Sequence, residues 1–431
     1  ISFDDANASN QKIWLYADGK VQYQEYTPYR GFQSSVSKMV HFGLGQYAKV
    51  DSLKIVWQDN AMAILRDVPA DTTLRISRKE AIATYIPPGT NMSYRFVNTQ
   101  AITHTHIEKS PSDIKMTRTL LHELSRFGPC AAKGDVNGDK LDDLFIGGEP
   151  GSTSKLFIQK PDGSFTTSLV TNDTTREDGD ALFFDSDSDG DLDLYVASSC
   201  ASSAEDPKKH VLYINDGRGH FTLSQETLPS INSSASCVVA EDYDKDGDLD
   251  LFIGGRIKPR EYPSSPRSYI LENTGGKFRD VTKKLSQSLE FPGMISSALW
   301  LDVNKDGRPD LIMAGEWMPI RIFINSGGKF TEESTSYGLE HSNGWWNCLR
   351  AADINKDGYI DIVGGNTGRN SFFKPTLDHP IKITAADFDK NGSIDPIVTY
   401  YNEVERDRFI VHNRLVLIDQ VPGFKKRFET F

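Results

Sequence analysis

One nine-residue pattern occurs six times in this chain. It runs Asp, any residue, Asp or Asn, any residue, Asp or Asn, Gly or Lys, two further residues, and a closing Asp. Its copies start at Asp135, Asp185, Asp242, Asp302, Asp353 and Asp387, so the starts lie 50, 57, 60, 51 and 34 residues apart. A period in this range restricts the fold to architectures that stack similar units, because one such unit cannot bury its own apolar face.

The residues around each copy say what the unit is. Short apolar runs precede the loops ("CAAKG", "ALFF", "CVVAE", "SALWL", "LRAA", "ITAA") and others follow them ("LFIGG", "LYVAS", "LFIGG", "LIMAG", "IVGG", "PIVTY"). Runs of four to six such residues between Gly, Asp and Asn read as strands. In the first four copies a third strand, a Gly turn and a Phe come next, as in "KLFIQKPDGSF" and "IRIFINSGGKF". The last two copies lack that hairpin. Four strands per repeat of this length are the mark of a β-propeller blade. The expected fold class is therefore all-β, with a β-propeller built on the repeats.

The loops themselves have the chemistry of a hard-cation site. Positions 1, 3, 5 and 9 would supply side-chain oxygens and position 7 a backbone carbonyl. In order, the candidate ligands are Asp135, Asn137, Asp139, Leu141 and Asp143; Asp185, Asp187, Asp189, Asp191 and Asp193; Asp242, Asp244, Asp246, Asp248 and Asp250. They continue with Asp302, Asn304, Asp306, Arg308 and Asp310; Asp353, Asn355, Asp357, Tyr359 and Asp361; Asp387, Asp389, Asn391, Ser393 and Asp395. A helix–loop–helix calcium site needs a bidentate Glu at position 12. That position holds Ile146, Val196, Ile253, Met313, Gly364 and Val398, so Asp at position 9 closes the site and strands flank it. Gly at position 6 lets the backbone reverse. Lys140 replaces it in the first loop, whose geometry is the most doubtful of the six on sequence grounds. Side-chain positions hold 20 Asp and four Asn, a density of carboxylate that a cation must offset. Six Ca²⁺, one per loop, would balance the formal net charge of -12. A structural role is expected, because protein oxygens surround the ion and leave little room for substrate.

The acidic balance argues against a nucleic-acid partner. No apolar run is long enough to span a membrane. No signal-peptide pattern opens the chain, and both ends read as cut. Four cysteines without CxxC spacing point to neither a zinc site nor a disulfide scaffold. Cys130, Cys237 and Cys348 each stand five residues before a loop and read as small buried side chains, while Cys200 could reach Cys237.

Residues 116–431 resemble the FG-GAP/VCBS repeat family, the calcium-loop propellers of integrin α-subunit type, and the resemblance implies a propeller over 116–431 that is seven-bladed with one blade lacking a loop, or incomplete within this chain. Phrases such as "GWWNCLRAADINKDG" and "AADFDKNGSIDPIVTYY" are similar to a surface-protein branch common in Bacteroidetes. Residues 1–80 carry no loop. There "KIWLYADGKVQYQEY" reads as a hairpin turning at Asp18-Gly19. The stretch with Arg30, Gly31, Phe32, Ser34, Ser35, His41, Phe42, Gly43, Leu44, Gly45 and Trp57 resembles the ASPIC/UnbV domain, although Trp57-Gln-Asp-Asn60 departs from that family's W-P-x-G. The same pairing of domains occurs in the cartilage acidic protein group. The resemblance implies an all-β module on an extracellular or cell-surface protein, followed by a connecting segment, 81–115, able to add an outer propeller strand.

Other candidates stand apart from the repeat. His104, His106, Glu108, His122 and Glu123 could converge as a zinc or acid–base site, or be ordinary polar residues. Trp345, Trp346, Tyr400 and Tyr401 could stack on sugars or fill blade cores. The loop 256–268 is basic and Pro-rich and could touch a partner or merely cross the surface. No nucleophile elbow, P-loop or dinucleotide fingerprint stands in a suitable setting. The expected function is non-enzymatic: a calcium-stabilised adhesion-type protein presenting a propeller surface to a protein or glycan. A glycan-processing surface protein and a scaffold within a larger polypeptide are the alternatives.

Overall fold

A computed structural model describes residues 1–4, 10–27, 36, 39–86, 102–106, 113–124, 126, 128–199, 210–369 and 371–427. It is nearly all β. The chain divides into two compact units, one of residues 1–99 with 367–374 and one of residues 100–366 with 375–431.

In the first unit, strands Lys20–Tyr26, Gln11–Ala17, Lys49–Val56, Ala61–Pro69 and Ala83–Thr84 form one sheet in that spatial order. The hairpin turns at Asp18 (φ 49°) and Gly19 (φ 72°), the left-handed pair that matches strand twist. Alternation along Gln11–Ala17 buries Ile13, Leu15 and Ala17 and leaves Lys12, Trp14 and Tyr16 on the other face. The buried row packs with Val50, Leu53, Ile55, Trp57, Ala63 and Ile76, and with half-buried Phe42, Leu44 and Tyr47. Of the motif residues named above, Arg30, Gly31, Phe32, Ser34 and Ser35 lie outside the described residues. So do residues 87–101 and 107–112 of the connecting segment 81–115, expected to be able to add an outer strand.

The second unit is a series of blades. Blade 1 comprises Ala131–Gly134, Asp143–Ile146, Lys155–Gln159 and Phe165–Leu169. Blade 2 comprises Asp178–Phe184, Asp193–Ser198, Val211–Asn215 and Phe221–Leu223. Blade 3 comprises Ala235–Glu241, Asp250–Gly255, Tyr269–Thr274 and Lys277–Asp280. Blade 4 comprises Met294–Leu301, Asp310–Met318, Arg321–Asn325 and Phe330–Glu332. Each is an antiparallel meander in chain order. Blade 5 has two strands, Gly344–Ala352 and Asp361–Asn366. The first strands of blades 1 to 5 pack against one another in sequence. Apolar clusters fill each junction: Phe145 with Phe183 and Leu194, Tyr195 with Val238 and Ile253, Phe252 with Ile295 and Met313, Ile312 with Leu349.

The sixth sheet (Lys382–Ala386, Asp395–Asn402, Asp407–Ile410) does not extend the series in the same way. Its Ile383 joins a cluster with Leu120, Leu124, Ile257, Tyr262, Met294 and Trp317. Its Ile394 N–H donates to Arg260 O in blade 3's 256–268 loop at 2.8 Å. So the basic loop, which could touch a partner or merely cross the surface, is tied at Arg260 to the sixth loop. This placement also corrects the expectation for Cys348. Cys237 is buried and Cys130 partly so, but Cys348 is exposed, because among the described residues no sixth inner strand packs against blade 5 as closely as blade 4 packs against blade 3. These three cysteines are free, and Cys200 lies outside the described residues.

Candidate metal centre

All six loops adopt one geometry. The carboxylate at position 1 accepts from the N–H of position 5 at 3.0 to 3.2 Å. It also accepts from the N–H of position 6 at 2.7 to 3.1 Å. The side chain at position 5 accepts from the N–H of position 7 at 2.8 to 3.0 Å. Asx turns of this kind wind the backbone around a centre faced by the remaining oxygen lone pairs.

Two residues per loop take positive φ, and this resolves the doubt over Lys140. Positions 4 and 6 are left-handed in every copy: Ser188 and Gly190, Lys245 and Gly247, Lys305 and Gly307, Lys356 and Gly358, Lys390 and Gly392. The first loop exchanges the two, with Gly138 at position 4 (φ 76°) and Lys140 at position 6 (φ 69°). Each copy thus spends one glycine on two left-handed residues. Lys140 N–H still reaches Asp135 Oδ2 at 2.7 Å, so the first loop is as well formed as the others.

Asp at position 9 is the first residue of the second strand, and it is buried in all loops but the fifth. One of its oxygens accepts from the N–H of position 2 at 2.9 to 3.2 Å. In blades 1 to 4 the other accepts from a third-strand N–H, that of Gln159, Asn215, Asn273 or Asn325, at 2.7 to 2.8 Å. In the sixth sheet the third strand pairs beyond this point, with Thr399 to Asn402, and cannot reach. There the helix Arg414–Gln420, capped by Asn413 on Val416 N–H, brings Gln420 Nε2 to Asp395 Oδ1 at 2.6 Å.

The loops are also tied across blades. Asn215, Asn273 and Asn325 each donate Nδ2 to the position-2 carbonyl of the preceding blade's loop (Val136, Ser186, Tyr243) at 2.8 Å. Each also donates to the position-8 carbonyl of its own loop at 3.1 Å, and accepts from a turn glycine N–H. A second tie runs between inner strands. In the second, third and fourth loops the side chain five residues before the loop accepts from the next inner strand: Asp180 from Val238 N–H at 2.8 Å, Ser297 from Leu349 N–H at 3.0 Å. Cys237 takes the backbone N–H of Ala298 in the same way. The cysteine position is therefore an acceptor position, not only a small buried one.

The electrostatics are those of crowded carboxylates. Burial, then Asp244 and Asp246, push Asp250 up to about 8. Burial followed by neighbouring Asp residues also raises Asp187 and Asp244, and burial raises Asp143, Asp193 and Asp310. Asp187 Oδ1 is buried without a hydrogen-bond partner. In three loops a set of carboxylate oxygens lies within 4.8 Å of one another: Asp185, Asp187 and Asp193; Asp242, Asp244 and Asp246; Asp387, Asp389 and Asp395.

Comparison with known families agrees with this geometry. A model of the FG-GAP-like repeat matches residues 135–196, 185–253 and 302–364, and a model of the ASPIC and UnbV domain matches residues 4–83. The chain is an FG-GAP-repeat protein with an ASPIC/UnbV domain. No curated protein matches it. Among solved structures it is similar to an Agrocybe aegerita lectin that recognises non-reducing terminal N-acetylglucosamine, at 14% identity and a TM-score of 0.37, covering 68% of this chain and 83% of that one. It is also similar to the exotype rhamnogalacturonan lyase YesX, at 14% identity and a TM-score of 0.30, covering 92% of this chain and 59% of that one.

The FG-GAP repeats account for the loops but not for a buried polar cluster at the far end of the second strands. Glu316, seventh in its strand, accepts from Arg256 Nη2 at 2.5 Å and from Tyr262 OH at 3.1 Å, and meets His122 Nε2 at 2.9 Å. Trp317, at φ 56°, donates Nε1 to Tyr262 OH at 2.7 Å and packs edge-on to Trp345. Burial alone would raise the Glu316 carboxyl. The Arg256 guanidinium and His122 outweigh it and hold the group well below the usual carboxylate range. Of the two readings open for the histidines and glutamates at 104–123, the described residues do not show a convergence into one site. His106 pairs with Glu149 of blade 1 at 2.5 Å, His122 with Glu316 of blade 4, and Glu123 with Arg126 at 3.1 Å. Glu108 lies outside the described residues. Among the described residues no candidate metal cluster includes a histidine. Trp345 and Trp346 are both half-buried, and Tyr401 stacks on His379 at 3.6 Å. Six residues after the closing Asp, blade 1 has Glu149 and blade 4 has Glu316, each meeting a histidine (His106 and His122), whereas the same position holds Ser199, Arg256, Thr367 and Tyr401 elsewhere, so the sequence carries only a partial repeat signal for Glu316.

Proposed function

We propose that this is a calcium-stabilised extracellular binding protein whose loops hold Ca²⁺ structurally, one per loop and up to six, and whose blades present a surface to a protein or glycan partner. The observation that carries the reading is the sixfold loop geometry. The same Asx turns aim hard oxygens at one centre in every copy, and the first loop keeps them despite its exchanged glycine. The donor set fits Ca²⁺: all oxygen, rich in carboxylate, and including a buried oxygen, Asp187 Oδ1, that lacks any other partner. An ion bound there would offset the mutual repulsion that raises Asp187 and Asp244.

Each loop joins the first two strands of a blade, and the Asn ties connect one loop to the next blade. An ion would therefore brace both the blade and its junction. Millimolar calcium outside cells suits modules with dissociation constants of about 10⁻⁴ to 10⁻³ M. The Glu316 carboxylate is held by Arg256, Tyr262 and His122, as in a structural ion-pair cluster.

The test is thermal unfolding of the intact chain in calcium and in EDTA. A ligand bound only to the native state at 100 times its dissociation constant stabilises by about 2.7 kcal/mol per site. Several sites together predict a drop of many degrees on chelation. Superimposable melts in the two buffers would overturn the structural-calcium reading.

A further inference from the structure

The outward face of the first unit's sheet carries a feature that neither the loops nor the blades explain. Alternation puts Trp14 and Tyr16 opposite the buried row, and register aligns them with their neighbours. Trp14 stands between Tyr23 and Lys54, and Tyr16 between Val21 and Ser52. The next strand adds Ile64 beside Lys54 and Arg66 beside Ser52. Lys12 lies two residues before Trp14 on the same face, opposite Glu25.

The rings form one group. Trp14 lies 5.0 Å from Tyr23 and 5.7 Å from Tyr85, centroid to centroid. Lys54 Nζ stands 4.1 Å from the Trp14 ring and 4.9 Å from the Tyr85 ring. Tyr23 is 48% exposed and Val21 54%. A sheet face made only for solvent would carry short polar residues here, since large half-exposed rings gain little from water.

Charge distinguishes the face further. Among the described residues, strand register places Lys12, Lys54 and Arg66 on it, with one carboxylate, Glu25. None of the three cations forms an ion pair among the described residues, whereas Lys49, Arg75 and Arg78 of the same unit pair with Asp67, Asp4 and Asp59. This cationic balance sits in a chain of net charge -12.

We propose that this face is a binding platform for an anionic polysaccharide. Rings of Trp and Tyr offer flat apolar faces with polar edges, which suit the C–H face of a pyranose. Cations flanking the rings would take its carboxylates or sulfates. At about 3.3 Å per residue along a strand and 4.8 Å between strands, Lys12 to Tyr16 spans ~13 Å and the four strands ~14 Å. That is room for an extended chain of several sugars, and the ligand would run across the strands from Tyr23 toward Arg66.

The test is affinity electrophoresis of the intact chain in native gels containing polygalacturonate, dextran sulfate or neutral dextran. Bulk repulsion between an acidic protein and a polyanion works against retardation, so retardation requires a local site. The platform predicts retardation by one or both polyanions and none by dextran. Lys12→Glu with Arg66→Glu, both at exposed positions, should weaken the interaction at least tenfold, and Trp14→Ala should do so while calcium-dependent melting of the blades is retained. Equal mobility of wild type in all three gels overturns the proposal. So does retardation that none of these substitutions changes, or loss of retardation on EDTA addition alone, which would place the site on the loops. Dimerisation in size-exclusion chromatography that Trp14→Ala abolishes would instead assign the face to a second copy of the chain.

Discussion

Replacing Asn273 with Ala probes the junction between blades most sharply. The side chain is fully buried and makes three hydrogen bonds. It donates to Ser186 O at 2.8 Å and to Leu249 O at 3.1 Å, and accepts from Gly276 N–H at 3.0 Å. Asn273→Ala removes all three and leaves two carbonyls and one N–H in a site too enclosed for full hydration. A net hydrogen bond contributes about 0.5–1.5 kcal/mol, and each buried group left unpaired costs about 1–3 kcal/mol. The three losses overlap, because a carbonyl retains a second lone pair, so the expected cost is about 3–5 kcal/mol. Asn325→Ala should match it and Asn215→Ala come close, since both repeat the same bonds. Asn273→Asp should cost more, by turning a donor into an anion facing two carbonyl oxygens beside Asp250. Equilibrium urea unfolding in saturating calcium, followed by tryptophan fluorescence, measures each. Lys277→Ala, at an exposed outer-strand position, is the control and should stay within about 0.5 kcal/mol. Losses below about 1 kcal/mol at all three asparagines would refute the view that loop and neighbouring blade are one mechanical unit.

Two further outcomes follow from particular residues. Lys140→Gly relieves a left-handed non-glycine residue (φ 69°) and should stabilise the chain by about 1 kcal/mol, read as a higher urea midpoint; a lower midpoint would show that the lysine side chain contributes something the geometry does not. His210 is buried, accepts from Tyr195 OH at 2.8 Å and donates to Ser233 O at 2.9 Å; burial pushes it down to about 4. Its folded value lies below its unfolded value of about 6.5, so its contribution is full above pH 6.5 and is lost as pH falls from there through 4, up to about 3 kcal/mol. His210→Gln should flatten that part of the stability profile relative to wild type, and identical slopes would contradict the assignment.

How much of this could be read from sequence depends on whether a residue acts within its own repeat or across repeats. The strand–loop–strand unit was legible because its signals are local: alternating carboxylates, a left-handed glycine and short apolar runs all lie within some twenty residues. So was the Asp18-Gly19 hairpin. The first loop looked defective only because position 4 was not recognised as a second left-handed site, where Gly138 stands in for the missing glycine at 140. The Asn ties were hidden in plain view. Asn215, Asn273 and Asn325 read as turn residues of a hairpin, yet their bonds go to the preceding blade, 79 to 87 residues away in sequence. The position held by Cys237 reads as small and buried, but Asp180 and Ser297 at the same place in blades 2 and 4 show that it also serves as an acceptor there. Glu316 and Arg256 share a spacing, each six residues after a closing Asp, but His122 and Tyr262 reach them from a segment outside the blades and from a loop, with no spacing to announce them. The placement of the sixth sheet is likewise a tertiary outcome: its apolar Ile383 finds blades 3 and 4, and a helix replaces the missing third-strand cover over Asp395.

The central claim is that the loops are calcium sites, and counting bound ions tests it most directly. Equilibrium dialysis of the chelator-stripped chain against ⁴⁵Ca at millimolar calcium should reach five or six ions per chain, with Asp187→Ala lowering the count by one. A plateau at zero or one ion would contradict the account, because six loops of one geometry cannot be calcium sites and leave five empty.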